Sequence, residues 1–152
     1  MTLNEQVSRF LSAHTVINLA TIGESGPWSS AVFYVFENGR FYFLSAAHTR
    51  HCRNLAADSR VAATIQKEVE NWQEIKGMQL EGHAYQIEPA EVNAVIDLYA
   101  KRFPVTGPDA PVEIARALDK ISWYQLEPTR LLFIDNERGL GHRDEIDPAN
   151  LV

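Results

Sequence analysis

The stretch FYFLSAAHTRHCRNL, residues 41–55, joins an aromatic run to a basic one with almost nothing between them. Phe41 to Ser45 has the composition of a strand. Ala46-Ala47 is a short link of small residues. Thr49 is placed to cap a helix, and Arg50, His51 and Arg53 crowd the first turn behind it. An isolated helix disfavours this order. Its N-terminus is the positive end of the dipole, and each misplaced cation costs roughly 0.3–1 kcal/mol. An anion docked there removes the conflict, held by Ser45, Thr49, Arg50, His51 and the free backbone N–H groups of the first turn. The stretch therefore reads as a phosphate cradle on a strand–turn–helix junction.

Upstream of it, residues 15–22 are β-branched and apolar, a strand. Residues 23–27 have turn composition, and residues 28–36 form a second strand. Asn38-Gly39 between apolar runs signals a tight hairpin into the strand 41–45. Three strands of a meander thus feed the cradle. At the start of the chain, Leu3, Val7, Phe10 and Leu11 share one face of a helix over 2–13, with Thr2 as its cap. That helix lids the core.

Downstream, residues 49–58 fit a short helix with Cys52, Leu55 and Ala56 facing inward, and 60–67 a fourth strand. A polar loop carrying Trp72 leads to a long strand, 75–87, in which Gly77 and Gly82 mark a bend, a bulge or a close backbone approach. Pro89 opens a helix over 89–103 and Pro104 stops it. A proline-rich loop and a short helix, 112–119, follow. Residues 121–135 read as a strand pair or one strand interrupted at Glu127-Pro128-Thr129, and 136–152 as a polar tail ordered in part. Strands in consecutive runs with helices inserted late imply an α+β, mainly antiparallel fold. One closed or half-closed barrel with short peripheral helices spans residues 1–152 as a single domain.

Composition excludes several classes of function. The net charge of −6 disfavours non-specific nucleic-acid binding. The single cysteine, Cys52, rules out an internal disulfide. Clustered His48, His51 and Cys52 lack the second cluster of an ordinary zinc site, so no metal is expected, and His14 and His83 read as structural. No apolar run approaches the ~18–20 residues that cross a bilayer, and the first residues do not form a secretory signal. Cytoplasmic residence is the default expectation. Cys52 reads as a small core residue, with a reactive thiol as the alternative. Most of the aromatics from Trp28 to Phe43 are barrel core. Arg138, His142 and Arg143 form either an anion-binding tail or a solvated one. There is no nucleophile–base constellation, no nucleophile elbow and no Walker motif, so no catalytic residue is nominated.

The string LATIGESGPWSSAVFYVFENGRFYFLSAAHTRHCRNLAADSRVAATI, residues 19–65, resembles the flavin-binding split β-barrels, the pyridoxamine 5'-phosphate oxidase-like proteins. The order and spacing of the Leu19-Ala20-Thr21 strand, the Gly-Pro turn, the strand ending on Ser45 and the basic helix start carry the likeness. The resemblance implies FMN held between the two protomers of a homodimer. Ser45, Thr49, Arg50 and His51 would hold its phosphate, His51 standing where the family often has lysine. The ring would lie against backbone near Ser30, Ala31 and Phe33 on one strand and Phe43 and Leu44 on the next. Trp72, Gln79 and the Gly139–Arg143 tail, Arg143 in particular, would close the site, from the same chain or from the partner. The family's enzymes use an Arg-x-His arrangement for substrate near the C-terminus, whereas this chain has Gly141-His142-Arg143. The resemblance implies an oxidoreductase working with a small-molecule redox partner, the cofactor carrying the chemistry. The alternative is a binding module on the same barrel for haem, a deazaflavin or a flavin that does not turn over.

Overall fold

A computed structural model describes residues 1–152. The first helix, α1 (Leu3–Ala13), is closed at its start by a reciprocal cap: the Thr2 hydroxyl accepts from the Glu5 amide, and the Glu5 carboxylate accepts from the Thr2 amide. Its inner stripe, Val7, Phe10 and Leu11, is buried. It leads into β1 (Val16–Gly23), which pairs with β2 (Gly26–Phe33) down to Gly23 opposite Gly26. The turn is therefore only Glu24-Ser25. It is shorter than the five residues of turn composition, because glycines that punctuate a chain can still sit in the ladder.

The expected second strand, 28–36, is in fact two. At Tyr34 the chain stops pairing with β1, and β3 (Val35–Glu37) pairs with β4 (Arg40–Ser45) instead. Asn38 and Gly39, at φ 50° and 79°, make the tight turn between β3 and β4. Tyr34 is fully buried at the changeover. Its hydroxyl donates to the Leu11 carbonyl at 2.7 Å and its amide to the Thr15 carbonyl at 3.0 Å. Arg102 binds the Leu11, Ser12 and His14 carbonyls, so the end of α1 is satisfied by a tyrosine and an arginine from two other elements.

Beyond β4 come α2 (Arg50–Ala57), β5 (Arg60–Gln66), β6 (Lys76–Gln86), α3 (Val92–Arg102), α4 (Val112–Leu118), β7 (Ser122–Asp135) and β8 (Arg143–Ile146). The sheet order is β2-β1-β5-β6-β7-β4-β3, antiparallel throughout. Since β2 and β3 are one continuous piece of chain, the two ends of this sheet meet and it curls into an α+β split barrel. Residues 122–135 are one strand. The ladder to β6 steps by one residue beside Gly82, at Pro128-Thr129, and then resumes. One edge of β7 follows β6. The other pairs first with β4 and then with β8.

The interior is filled by Ile17, Leu19, Phe41, Phe43, Ile65, Met78, Leu126, Leu131 and Phe133, with α1 over one opening. A smaller cluster of Val35, Ile87, Val95, Tyr99 and Trp123 seats α3 outside the barrel. The tail beyond residue 135 is more ordered than its polarity suggested: β8 extends the sheet, and Ile146 and Leu151 are buried in the main core. No helix is long and apolar enough to cross a membrane. Leu151→Ala should cost about 2–4 kcal/mol of unfolding free energy. Urea denaturation checks this, and a change below about 0.5 kcal/mol, the range of surface substitutions, would show that the tail is peripheral.

Candidate functional site

The feature that defines the site is a slit in the barrel wall. β2 hydrogen-bonds only to β1, and β4 only to β3 and β7. Past Tyr34 the free edges of β2 and β4 run side by side without pairing. Unpaired edge groups must find other partners or water. In the β1 register Ser30 lies opposite Leu19 and Trp28 opposite Thr21, so both share the inward face with those buried residues. Ser30 Oγ is the buried side-chain polar atom that has no hydrogen-bond partner in the chain. A buried hydroxyl left unpaired costs about 1–3 kcal/mol, so this one fits a site that a polar ligand completes.

The N-terminus of α2 lies over the slit. Thr49 is its cap: the hydroxyl accepts from the Cys52 amide at 3.4 Å and donates to the Ala46 carbonyl at 2.8 Å. That leaves the Arg50 and His51 amides without helical acceptors. Arg50 lies 4.3 Å over the Trp28 ring and donates to the Ser25 carbonyl at 3.3 Å, joining α2 to the β1–β2 turn. His51 turns inward. Its Nε2 is 2.6 Å from Ser45 Oγ and 3.4 Å from Thr49 Oγ1, and both His51 and Ser45 are buried. No acidic residue occupies the first turn of α2. Ser45, Thr49, Arg50 and His51 are thus brought to one junction, three of them in a single hydrogen-bonded cluster.

The inner face of α2 differs from the expectation. Cys52 and Leu55 are buried, but Ala56 is exposed and Asn54 takes the inward position. Asn54 Nδ2 donates to Thr21 Oγ1 at 3.1 Å. Its amide also fills the space where a Cβ on Gly23 would project, so a larger residue at 23 would displace the Asn54 side chain. A polar residue in an inward helical position and a glycine at a strand end are the signals that could have revealed this pair.

Cys52 lies beside a cavity of about 380 Å³ between α2 and the β6–β7 ladder, lined also by Leu55, Tyr85, Gln86 and Tyr124. Burial, the largest influence on this thiol, opposes ionisation. Hydrogen bonding from His51, and then from Thr49, Tyr124 and Ser45, outweighs it and lowers the group to about 7. Tyr124 is pushed well above its ordinary value by burial and by the neighbouring thiol. Sequence reading placed Cys52 as a core residue, and the structure buries it while surrounding it with polar groups.

The remaining nominated residues fall into two places. Ala31 and Phe33 lie opposite Asn18 and Val16 on the outward face of β2, and Phe33 is 56% exposed. Phe43 is stacked on Tyr124 inside the core, and Leu44 is half-buried beside the smaller cluster. On the β6 side, Arg143 Nε donates to Gln79 Oε1 at 3.1 Å. Asn136 ties the tail to the Trp72 carbonyl at 2.8 Å, with Trp72 itself exposed. Gln79 and Arg143 are therefore brought together, while Trp72 is tied to the tail through Asn136. Asp144 binds both Arg138 and His142, so of the basic tail residues Arg143 is the one with no carboxylate partner. No group of three metal-ligating side chains converges.

A curled antiparallel barrel, slit along one side and roofed by a basic helix start, is the architecture of the split β-barrels. The model of the pyridoxamine 5'-phosphate oxidase family matches residues 3–135, and the chain belongs to that family. A UPF0306 protein of Enterobacter sp. (strain 638) is 30% identical over 139 residues, covering 90% of this chain and 91% of its own. Among solved structures, the haem storage protein HutZ from Vibrio cholerae superposes with a TM-score of 0.72 at 21% identity, covering 86% of this chain and 94% of its own. A haem-binding protein from Mycobacterium smegmatis gives 0.74 at 23%, covering 99% and 60%. At these identities the two structures are similar to this chain in fold.

The lowered thiol gives a direct test. Thiolate absorbance near 240 nm should rise with a midpoint near pH 7, about one and a half units below an ordinary cysteine, and vanish in Cys52→Ser. A thiol that ionises more readily in the folded chain adds stability above its unfolded pKa, and that gain is lost as pH falls through about 7. A midpoint above 8 would discount the hydrogen bonds.

Proposed function

We propose that this protein is an FMN-binding member of the flavin oxidoreductase class, acting as a homodimer in the cytoplasm on a small-molecule redox partner. The observation that carries the reading is the slit, where unpaired strand edges and the unpartnered Ser30 hydroxyl lie beside the basic start of α2. Family membership supports the same reading. The phosphate sits at Ser45, Arg50 and His51 with the free amides of the first helical turn, while Thr49 holds that turn in place. The ring lies along the β2 and β4 edges, with Ser30, Ala31 and Phe33 on one side and the backbone of Phe43 and Leu44 on the other. When bound, FMN supplies hydride and single-electron chemistry. The chain's residues bind it, orient it and exclude water.

A second copy covers the exposed outer face. Val16, Ile22 and Phe33 are 40%, 46% and 56% exposed there, beside a shallow groove over Asn18, Ala20, Ala62, Thr64 and Gln79. Apolar side chains grouped on a sheet face mark an interaction surface. Trp72, Gln79 and Arg143 of each protomer then complete the other's site.

The second reading, a haem- or deazaflavin-binding module, is favoured by the likeness to two proteins described as haem storage and haem binding. The absorption spectrum of the purified protein separates the two. Two broad bands bleached by dithionite are expected, a sharp Soret band would favour haem, and a colourless protein that binds no added FMN would sink the flavin reading. Arg50→Ala should weaken FMN binding by about 1.5–3 kcal/mol, the range for a charged hydrogen bond. Unchanged affinity in a fluorescence titration would remove Arg50 from the anchor.

A further inference from the structure

The hydrogen bond between Ser45 and His51 spans 2.6 Å and holds one proton. Ser45 has a single hydroxyl hydrogen. When Nε2 is bare, Ser45 must donate to it, and the hydroxyl then offers an arriving anion only lone pairs. When Nε2 carries hydrogen, the ring donates to Oγ and the serine hydrogen is free to turn toward the anion. Both the neutral Nε2–H tautomer and the imidazolium satisfy that condition, but only the imidazolium adds positive charge. A bound phosphate favours the charged ring, because an opposite charge within a few ångströms stabilises the protonated form.

We propose that the cradle is proton-linked: binding an anion draws one proton onto His51, whose Nε2–H then holds Ser45 Oγ and aims the serine hydrogen at the anion. This rests on the phosphate reading above and adds its regulation. The surroundings of His51 allow such uptake. From β4 it faces Ser45, and from the link before α2 Thr49. On its own helix the titratable and charged neighbours are Arg50, whose guanidinium lies over Trp28, the thiol of Cys52, and the exposed Arg53. His48, ahead of the helix, is exposed. From β7, Tyr124 reaches the cluster through Cys52. His142 is the histidine that has a carboxylate partner, and His51 has none. The bound anion is then the counter-charge that His51 otherwise lacks. A thiolate at Cys52 would compete with the anion for the protonated ring, which adds to weaker binding at alkaline pH.

FMN titrations from pH 5.5 to 8.5 test the linkage in the wild type, His51→Lys, His51→Gln and Cys52→Ala. FMN's own phosphate titrates near pH 6, and comparison with His51→Lys cancels that common effect. The wild type should lose about tenfold in affinity relative to His51→Lys between pH 6.5 and 8. Calorimetry in buffers of different ionisation enthalpy should find close to one extra proton taken up. His51→Gln should bind weakly with no excess slope, and Cys52→Ala should keep most of the wild-type slope, losing only the part that thiolate competition adds. A wild-type slope in both His51 variants, or its loss in Cys52→Ala, overturns the assignment to His51. Binding that is firm but flat with pH overturns the linkage alone. Absence of FMN binding at every pH overturns the phosphate reading and the linkage with it.

Discussion

One length of chain, Gly26 to Glu37, belongs to both ends of the sheet, and most of the molecule follows from that constraint. It hydrogen-bonds to β1 up to Phe33 and to β4 from Val35. A strand that changes partners partway forces the sheet to curl and leaves a wedge where neither partner is reached. Tyr34 at the changeover is held by backbone and side-chain bonds to α1 and to the residue before β1. The opening in the wall is therefore a result of closing the barrel, set by a buried residue rather than by the residues around the opening. Loop closure of this kind is costly in entropy, and the buried aromatics around Tyr34 and Phe41 offset it.

The start of α2 shows how a locally unfavourable sequence is accommodated. Two cations and a histidine follow Thr49 in a turn that prefers acids. One guanidinium is spread over the face of an indole, and the imidazole is turned under the helix to a serine. Each arrangement reduces the repulsion without cancelling the positive field at the helix start. On a chain of net charge −6, that field is local. Long-range steering of anions is weak, and any selectivity for them comes from contacts within a few ångströms.

Much of the fold was legible because the relevant signals are short-range. The Thr2 cap, the period of α1, the Asn38-Gly39 turn and the breaks at Pro89 and Pro104 all appear where the sequence puts them. The partner change at Tyr34 was not legible, since Val32 to Phe36 is uniformly apolar and a strand's sequence does not say which edge it will meet. The extent of order in the tail was not legible for a related reason. β8 is a polar edge strand, and it is ordered by its ladder to β7 rather than by its own composition. At the site, proximity of Ser45, Thr49, Arg50 and His51 followed from chain order alone. That His51 points at Ser45, and that Asn54 rather than Ala56 faces the barrel, depended on the roll of an eight-residue helix. Two apolar and two polar inward residues do not fix that roll.

The connection between β6 and β7 has an implication of its own. The two strands are antiparallel neighbours from Lys76 opposite Asp135 to Gln86 opposite Tyr124, so the excursion carrying α3 and α4 leaves and rejoins the barrel at the same rung. α3 is seated by Val95 and Tyr99 and lends Arg102 to the end of α1, but α4 buries no residue and is tethered through the proline-rich bend before it. Residues 104–118 are thus a module attached at one point of a closed frame. In an evolving lineage this is where the chain can lengthen, shorten or exchange its sequence, while the barrel and its opening retain their shape.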